Sequence, residues 1–267
     1  MTTVALARPA RRHPVLVLAV LEGRRLVTHP ATIVGWLMLA VMFTVYSTQQ
    51  SDPVYAFDLI TTGTTFYPGL FCVLAGHMVT TRDSRAGTAE LLSATPVPAQ
   101  QRVAALLAAA SVPALVALGV NLLFLQVLLW QDGFVEVPGL AHVLQGPVTV
   151  LGGTLLGIML GLWLPHVTTP VLAMVVLVTG CVVLGSDSDA SMFSPMMSWA
   201  DWGPYDGKRW YALVDGSPGS HVAYLLGLCG LAATAALLRS GRGRRGLLVL
   251  GVVLAVVAAT AGWAQLP

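Results

Sequence analysis

Long apolar runs separated by short polar stretches make up most of this chain. The runs fall at residues 31–48, 59–81, 103–130, 143–164, 169–185, 222–238 and 247–263. A helix needs about 17 to 25 apolar residues to cross the hydrocarbon layer of a bilayer. Most of the runs have that length, although the fifth and the seventh are at its short end. The pattern therefore predicts an all-α polytopic membrane protein with six to seven transmembrane helices.

The composition agrees with this interpretation. Hydrophobic residues make up 56% of the chain and charged residues 10%, whereas a soluble domain carries about 25% charged residues. The three cysteines all lie inside apolar runs and lack the spacing of a metal site. We therefore expect them to be small buried side chains and not a disulfide framework.

Residues 1–30 are rich in arginine and enclose one short apolar patch. The sequence EGRR follows this patch, where a cleaved signal peptide would need small residues, so we expect the patch to stay in the mature protein. A helix over 14–28 would carry Glu22, Arg24, Arg25 and Thr28 on its polar side. Its apolar side would consist of Val15, Leu16, Ala19, Val20, Leu26 and Val27. The pattern predicts an interfacial helix whose arginines face the lipid headgroups.

The distribution of positive charge predicts the orientation. If the N-terminus is cytoplasmic, alternating loops place every Lys and Arg except Lys208 and Arg209 on the cytoplasmic side. Cytoplasmic loops carry the excess of Lys and Arg in membrane proteins, so residues 31–267 are predicted to form one transmembrane domain that follows a cytoplasmic N-terminus. The outer loop 186–220 is rich in Trp and Tyr, which is typical of an anchor at the outer interface. A gate over an exit path is the alternative.

No catalytic or metal-binding pattern is present in the sequence. The lysine in residues 203–209 (GPYDGKR) lacks the glycine spacing and the following hydroxyl residue of a phosphate loop. The six histidines have no paired spacing for a metal. Ionisable residues are nearly missing from the apolar runs, which argues against a proton pump or an ion channel with a charged filter. We expect neither enzyme activity nor a bound metal in this chain.

Polar and small residues inside the runs are the remaining candidates. Asn121 and Gln126 in the third run are possible pathway residues, although hydrogen bonding between helices is the interpretation that we favour. Gly153, Gly157 and Gly161 form a stripe at four-residue spacing, which lets two helix backbones approach closely. The stripe predicts helix packing, either inside one subunit or across a dimer interface.

A polar island at residues 83–98 (DSRAGTAELLSATPVP) separates the second and third runs. Gly87 interrupts the preceding chain, Thr88 is a good N-cap, and Glu90 favours the positive end of a helix dipole. Pro96 then ends the helix. These residues predict one short helix of about two turns, which depends on its packing for stability. An ordinary loop is the alternative.

The island also carries a family pattern. Residues 87–97 (GTAELLSATPV) resemble the Gly-Thr-x-Glu-Leu-Leu-x-x-Thr-Pro-Val signature of type-2 ABC transporter permeases, and they lie where that family has its coupling helix. Residues 22–30, ahead of the first run, resemble the connecting helix of the family. Two departures are a possible seventh span, where six are usual, and the pair Asp83 and Arg85 in place of an acidic pair.

The resemblance implies specific roles for these residues. Coupling to an ATPase would fall within the loop 82–102, on Asp83, Gly87, Thr88, Glu90, Leu91, Leu92, Thr95 and Pro96. The connecting helix would use Glu22, Arg24 and Arg25.

The function implied is that of the transmembrane permease subunit of an ABC exporter in a bacterial plasma membrane. Such a subunit binds no cofactor, and two cytosolic ABC ATPase subunits bind the ATP and Mg²⁺. A second permease copy or a homologue would complete the pathway in the lipid bilayer, and no nucleic acid is expected as a partner. The near-absence of charge in the spans favours an apolar or amphipathic cargo. The alternative is a non-transporting scaffold or sensor that recruits a cytosolic partner through the same loops.

Overall fold

The computed structural model of the chain describes residues 14–47, 53–87, 97–130, 137–186, 217–241 and 243–264. These residues form helices, with no strand among them. The helices are α1 (Pro14–Val27), α2 (Pro30–Ser47), α3 (Pro53–Thr64), α4 (Leu70–Arg85), α5 (Ala99–Ala109), α6 (Ser111–Leu129), α7 (Leu140–Trp163), α8 (Thr169–Ser186), α9 (Pro218–Arg239) and α10 (Arg244–Ala264). The predicted all-α class is confirmed.

Five helical segments are long and apolar enough to cross a membrane. They are Leu59–Arg85, Ala99–Leu129, Leu140–Trp163, Gly219–Arg239 and Arg244–Ala264. Together, Pro14–Val27 and Pro30–Val45 are also long and apolar enough to cross a membrane, but the two helices are bent by 49° relative to each other. They count as a sixth span only if they form one broken span. In the fifth run, α8 has described side chains only over Thr169–Thr179, an apolar stretch that is too short by itself to count as a span. The described residues thus contain five or six candidate spans.

A π-helical turn at Thr65–Gly69 joins α3 to α4 within one continuous helical segment. Pro68 lies inside this turn. Proline has no N–H to donate to the carbonyl four residues earlier, so a regular α-helical ladder cannot continue through it. The wider π-helical turn accommodates the missing bond. The length and apolar character of the second run did not predict this irregularity, although Pro68 lies within the run.

The bend between α1 and α2 is stabilised by local hydrogen bonds at His29. The backbone N–H of Ala31 donates to the Nδ1 atom of His29 at 3.2 Å. The hydroxyl of Thr32, which is fully buried, donates to the carbonyl of Leu26 at 2.7 Å. This bond adds a donor to a carbonyl group at the end of α1. Specific hydrogen bonds therefore hold the change of direction between α1 and α2.

The central helix is α7, which contacts α3, α4, α5, α6, α8 and α9. Its most extensive contact is with α4. A Cβ atom on Gly153 would overlap the carbonyl of Gly69, and one on Gly157 would overlap the carbonyl of Val73. From the other side, a Cβ atom on Gly76 would lie 2.6 Å from the carbonyl oxygen of Thr154. The backbones of α4 and α7 therefore touch, and the glycine stripe packs inside the subunit.

The last helix, α10, is attached to the rest of the molecule through α9. Gly227 on α9 faces Ala258 on α10, and a Cβ atom on Gly227 would lie 2.9 Å from the Cβ atom of Ala258. Only 11% of the apolar stretch of α10 is buried inside the protein, compared with 67% of the apolar stretch of α7. Most of the surface of α10 therefore remains for contact with lipid.

We predict that Gly157→Ala disturbs the contact between α4 and α7. The new methyl group would meet the backbone of Val73, which cannot move aside as a flexible side chain could, and overpacking of this kind costs about 1 to 3 kcal/mol. The control is Gly119→Ala on α6, because no atom lies within 4 Å of a Cβ atom at that position. Thermal unfolding in detergent should be lowered by the first change and unchanged or slightly raised by the second. Equal unfolding temperatures would contradict the assigned packing.

Candidate functional site at the charged end of the helices

The basic side chains that the structure describes gather at one end of the helices. At this end α4 stops and α5 starts, and α1 packs against both. The turn between α7 and α8 lies there too, since His77 on α4 reaches the carbonyl of Leu164. Trp163 at the end of α7 reaches Ala235 near the end of α9. The basic residues at this end are Arg24, Arg25, Arg82, Arg85, Arg102, Arg239, Arg244 and Arg245. Within this set, the side chains around α1 form the most connected group.

The faces of α1 differ from the prediction. Its buried residues are Ala19, Glu22, Gly23 and Leu26, which share one side of the helix. The predicted apolar side is divided, because Leu16 is 65% exposed and Val20 is 62% exposed. The expectation that Glu22 lies on the outward polar side with Arg24 and Arg25 was wrong for Glu22 and correct for the two arginines, which are exposed.

The physical reason for the burial of Glu22 is a pair of charged hydrogen bonds across the helices. One carboxylate oxygen accepts from Nη1 of Arg82 at 2.7 Å and the other accepts from Nη2 of the same guanidinium at 2.8 Å. Nη1 of Arg25 donates to Glu22 as well, at 2.8 Å. Two parallel bonds between a guanidinium and a carboxylate fix the geometry and are stronger than neutral hydrogen bonds. Glu22 therefore joins α1 to the end of α4.

Small and apolar contacts surround this ionic link. Leu26, Val79 and Ala109 form one buried cluster that brings together α1, α4 and α5. A Cβ atom on Gly23 would overlap the side chain of Val112, so α1 also lies close to the start of α6. The carboxylate is thus shielded from water, which strengthens its attraction to Arg82 but makes an unpaired charge costly.

The chain leaves α4 directly after the ionic link. Arg82 donates from Nε to a carboxylate oxygen of Asp83 at 3.1 Å. The helix ends at Arg85, and Gly87 adopts φ of +67°, a left-handed conformation that favours glycine. The prediction that Gly87 interrupts the chain is confirmed.

The rest of the predicted coupling segment lies outside the described residues. It comprises Thr88, Glu90, Leu91, Leu92, Thr95 and Pro96. The chain is described again from Val97, and Pro98 caps α5, where its carbonyl accepts from the N–H of Gln101 at 3.0 Å and from the N–H of Arg102 at 3.2 Å. Residues 88–96 therefore connect two helices that are both held against α1.

Two further hydrogen bonds tie the turn between α7 and α8 to its neighbours. Nε2 of His77 on α4, a buried side chain, lies 3.1 Å from the carbonyl oxygen of Leu164 and donates to it. The indole N–H of Trp163 donates to the carbonyl of Ala235 on α9 at 2.9 Å. Within the turn, Nδ1 of His166 and the hydroxyl of Thr168 are 2.8 Å apart. Nothing in the spacing of the histidines along the sequence predicted this link.

The two possible pathway residues occupy different surroundings. Asn121 is fully buried, with its Oδ1 atom 3.4 Å from the hydroxyl of Thr64 and its Nδ2 atom 3.4 Å from the carbonyl of Val143. Nearby, the hydroxyls of Thr65 and Thr149 are 3.1 Å apart. The structure does not bring Gln126, which is exposed, into this group. Asn121 therefore lies in a helix interface.

The described residues hold no group of three or more His, Cys, Asp or Glu side chains that could bind a metal ion. Comparison of the chain with protein-family models, with curated proteins and with solved structures finds no match.

We predict that Glu22→Gln weakens the junction of α1 with α4. The amide cannot balance the charge of Arg82, so the free energy of unfolding should fall by about 2 kcal/mol, less than for a fully buried pair because the Arg82 side chain is 36% exposed. The matched control is Arg24→Gln, which removes an exposed charge that forms no ion pair among the described residues. Denaturant titration in detergent would measure both changes. If the two variants unfold alike, the ion pair contributes no stability.

Proposed function

We propose that this chain is the transmembrane permease subunit of an ATP-binding-cassette exporter. The observation that carries the proposal is the GTAELLSATPV pattern at residues 87–97, which resembles the signature of type-2 permeases. The segment leaves the charged end of the helices between α4 and α5, where a cytosolic partner could reach it from water.

The contacts of α1 support a role in transmitting force. A push on residues 88–96 would act on the ends of α4 and α5 together, because both helices pack against α1. Glu22 and Arg82 join α1 to α4 across the point where the segment begins. In this proposal α1, α4 and α5 move as one unit when the ATPase subunits close.

Movement of that unit would reach the centre of the molecule through α4. The backbone of α4 touches that of α7 at Gly76 and Gly157, leaving little space for the two helices to move independently. His77 would carry the same movement to the turn after α7, because it donates to Leu164. This turn is the second surface that we propose for contact with the ATPase.

The cargo that fits this proposal is apolar or amphipathic. A cavity of about 470 Å³ lies between α7, α8 and α9, and most of its lining side chains are apolar. Two copies of the permease, or one copy with a homologue, would form the complete path. The chain itself takes no part in ATP hydrolysis in this proposal, since ATP and Mg²⁺ belong to the two cytosolic subunits.

The first test is purification of the tagged full-length protein in mild detergent, followed by an ATPase assay and mass identification of the proteins that co-elute. We expect a cytosolic ATP-binding subunit in equal amount, with ATP turnover that depends on the permease. A protein that elutes alone and without ATPase activity would contradict the proposal and favour the scaffold or sensor.

A second prediction addresses the coupling segment. The double change Glu90→Ala and Leu91→Ala should reduce permease-dependent ATPase stimulation on the order of tenfold, which is a typical coupling strength between sites. The control is Glu136→Ala, which removes one carboxylate from the short predicted outer loop between the third and fourth runs. This change should leave the stimulation of the ATPase unchanged. Unchanged stimulation in the double variant, with the complex still assembled, would refute the coupling role of this segment.

A further inference from the structure

Two arginine groups lie at the charged end of the helices, and they differ in how their charge is balanced. In the first, Arg25 and Arg82 are paired with Glu22, and Arg82 is also paired with Asp83. The second group is formed by Arg239, Arg244 and Arg245 at the turn between α9 and α10. None of these three has a carboxylate within ion-pair distance among the residues that the structure describes.

The second group lies where α9 ends and α10 begins. Arg239 is the last residue of α9, and Arg244 and Arg245 are the first two residues of α10. All three are exposed. Gly241 and Gly243 adopt φ of +84° and +70°, a conformation that favours glycine. Because α9 and α10 pack against each other, the end of α9 and the start of α10 bring the three arginines near one another.

The electrostatics of this place favour an anion from outside the chain. The start of a helix carries a partial positive charge, which is normally complemented by acidic residues in the first turn. The first turn of α10 has no acidic residue and instead begins with two arginines. Guanidinium groups and free N–H groups at a helix start together suit the oxygens of a phosphate.

The surface that continues from the arginines identifies the kind of anion. Beyond Arg245, α10 presents a continuous apolar face, on which Leu248 is 56% exposed and Val249 and Val252 are each 65% exposed. An anionic phospholipid would fit both the arginines and the apolar face, with its phosphate at the arginines and an acyl chain along the apolar face. Basic clusters directly beside a spanning helix attract such lipids.

We propose that the end of α9 and the start of α10 form a binding site for an anionic phospholipid, with Arg244 and Arg245 as the main contacts to the headgroup phosphate. Bound there, the lipid would balance the positive charge at the start of α10. It would also support a helix that packs in the protein mainly against α9.

The test uses the full-length protein in a zwitterionic detergent, with phosphatidylglycerol as the probe and native mass spectrometry as the readout of bound lipid. Removing the charges in the double variant Arg244→Gln and Arg245→Gln should weaken binding about 25-fold, roughly fivefold for each arginine. The matched control is the double variant Lys208→Gln and Arg209→Gln, which loses the same charge elsewhere and should stay within about twofold of the wild type. Phosphatidylcholine and soluble glycerol phosphate are the reference ligands.

Three results would overturn the proposal. They are an equal loss of binding in the two double variants, no loss in either, and binding of glycerol phosphate as tight as that of phosphatidylglycerol, which would assign the site to a soluble anion. If the Arg244 and Arg245 variant fails to fold, Arg239→Gln is the second variant, for which about a fivefold loss is expected. In that case an unchanged affinity would overturn the proposal.

Discussion

Direct contact between the backbones of α4 and α7 is the constraint on which the rest of the structure depends. Helices in lipid gain little from burying apolar side chains against each other, because lipid tails are equally apolar, so that close packing and hydrogen bonds must hold them together. Gly153 and Gly157 allow this packing by removing the side chains that would separate the two helices. Beside this contact, the buried hydroxyls of Thr65 and Thr149 add a hydrogen bond between the π-helical turn and α7. The remaining spans are arranged around α7, whose position this contact fixes.

The helices themselves could be predicted from the sequence because each follows from local information. The length of an apolar run shows where a span lies, and the four-residue spacing of the glycines shows that one face is meant for close approach. The partner of that face could not be predicted, since nothing in the spacing distinguishes α4 from a second copy of the chain. The π-helical turn at Thr65–Gly69 was also missed. How the chain bends around Pro68 depends on the helices on either side of it, which the local sequence does not reveal.

The contacts of the candidate site were harder to predict from the sequence than the helices. Periodicity along α1 places Glu22 with Arg24 and Arg25, and by local reasoning all three belong on an outward polar face. Only the position of Arg82 on another helix explains why the carboxylate turns inward. The short helix predicted at residues 88–95 and the coupling role of its side chains stay predictions, as they lie outside the described residues. The structure adds that both ends of this segment are attached to helices that pack against α1.

The pairing of Glu22 with Arg82 also has a consequence for biosynthesis. The two residues are 60 positions apart, so the carboxylate leaves the ribosome well before its guanidinium partner. An unpaired carboxylate is costly in the interior of a bilayer, which keeps α1 near the aqueous boundary during the early part of translation. Docking of α1 must then follow insertion of the helix that carries Arg82. Of these two helices, the one made earlier therefore reaches its final place only after the later one has been inserted.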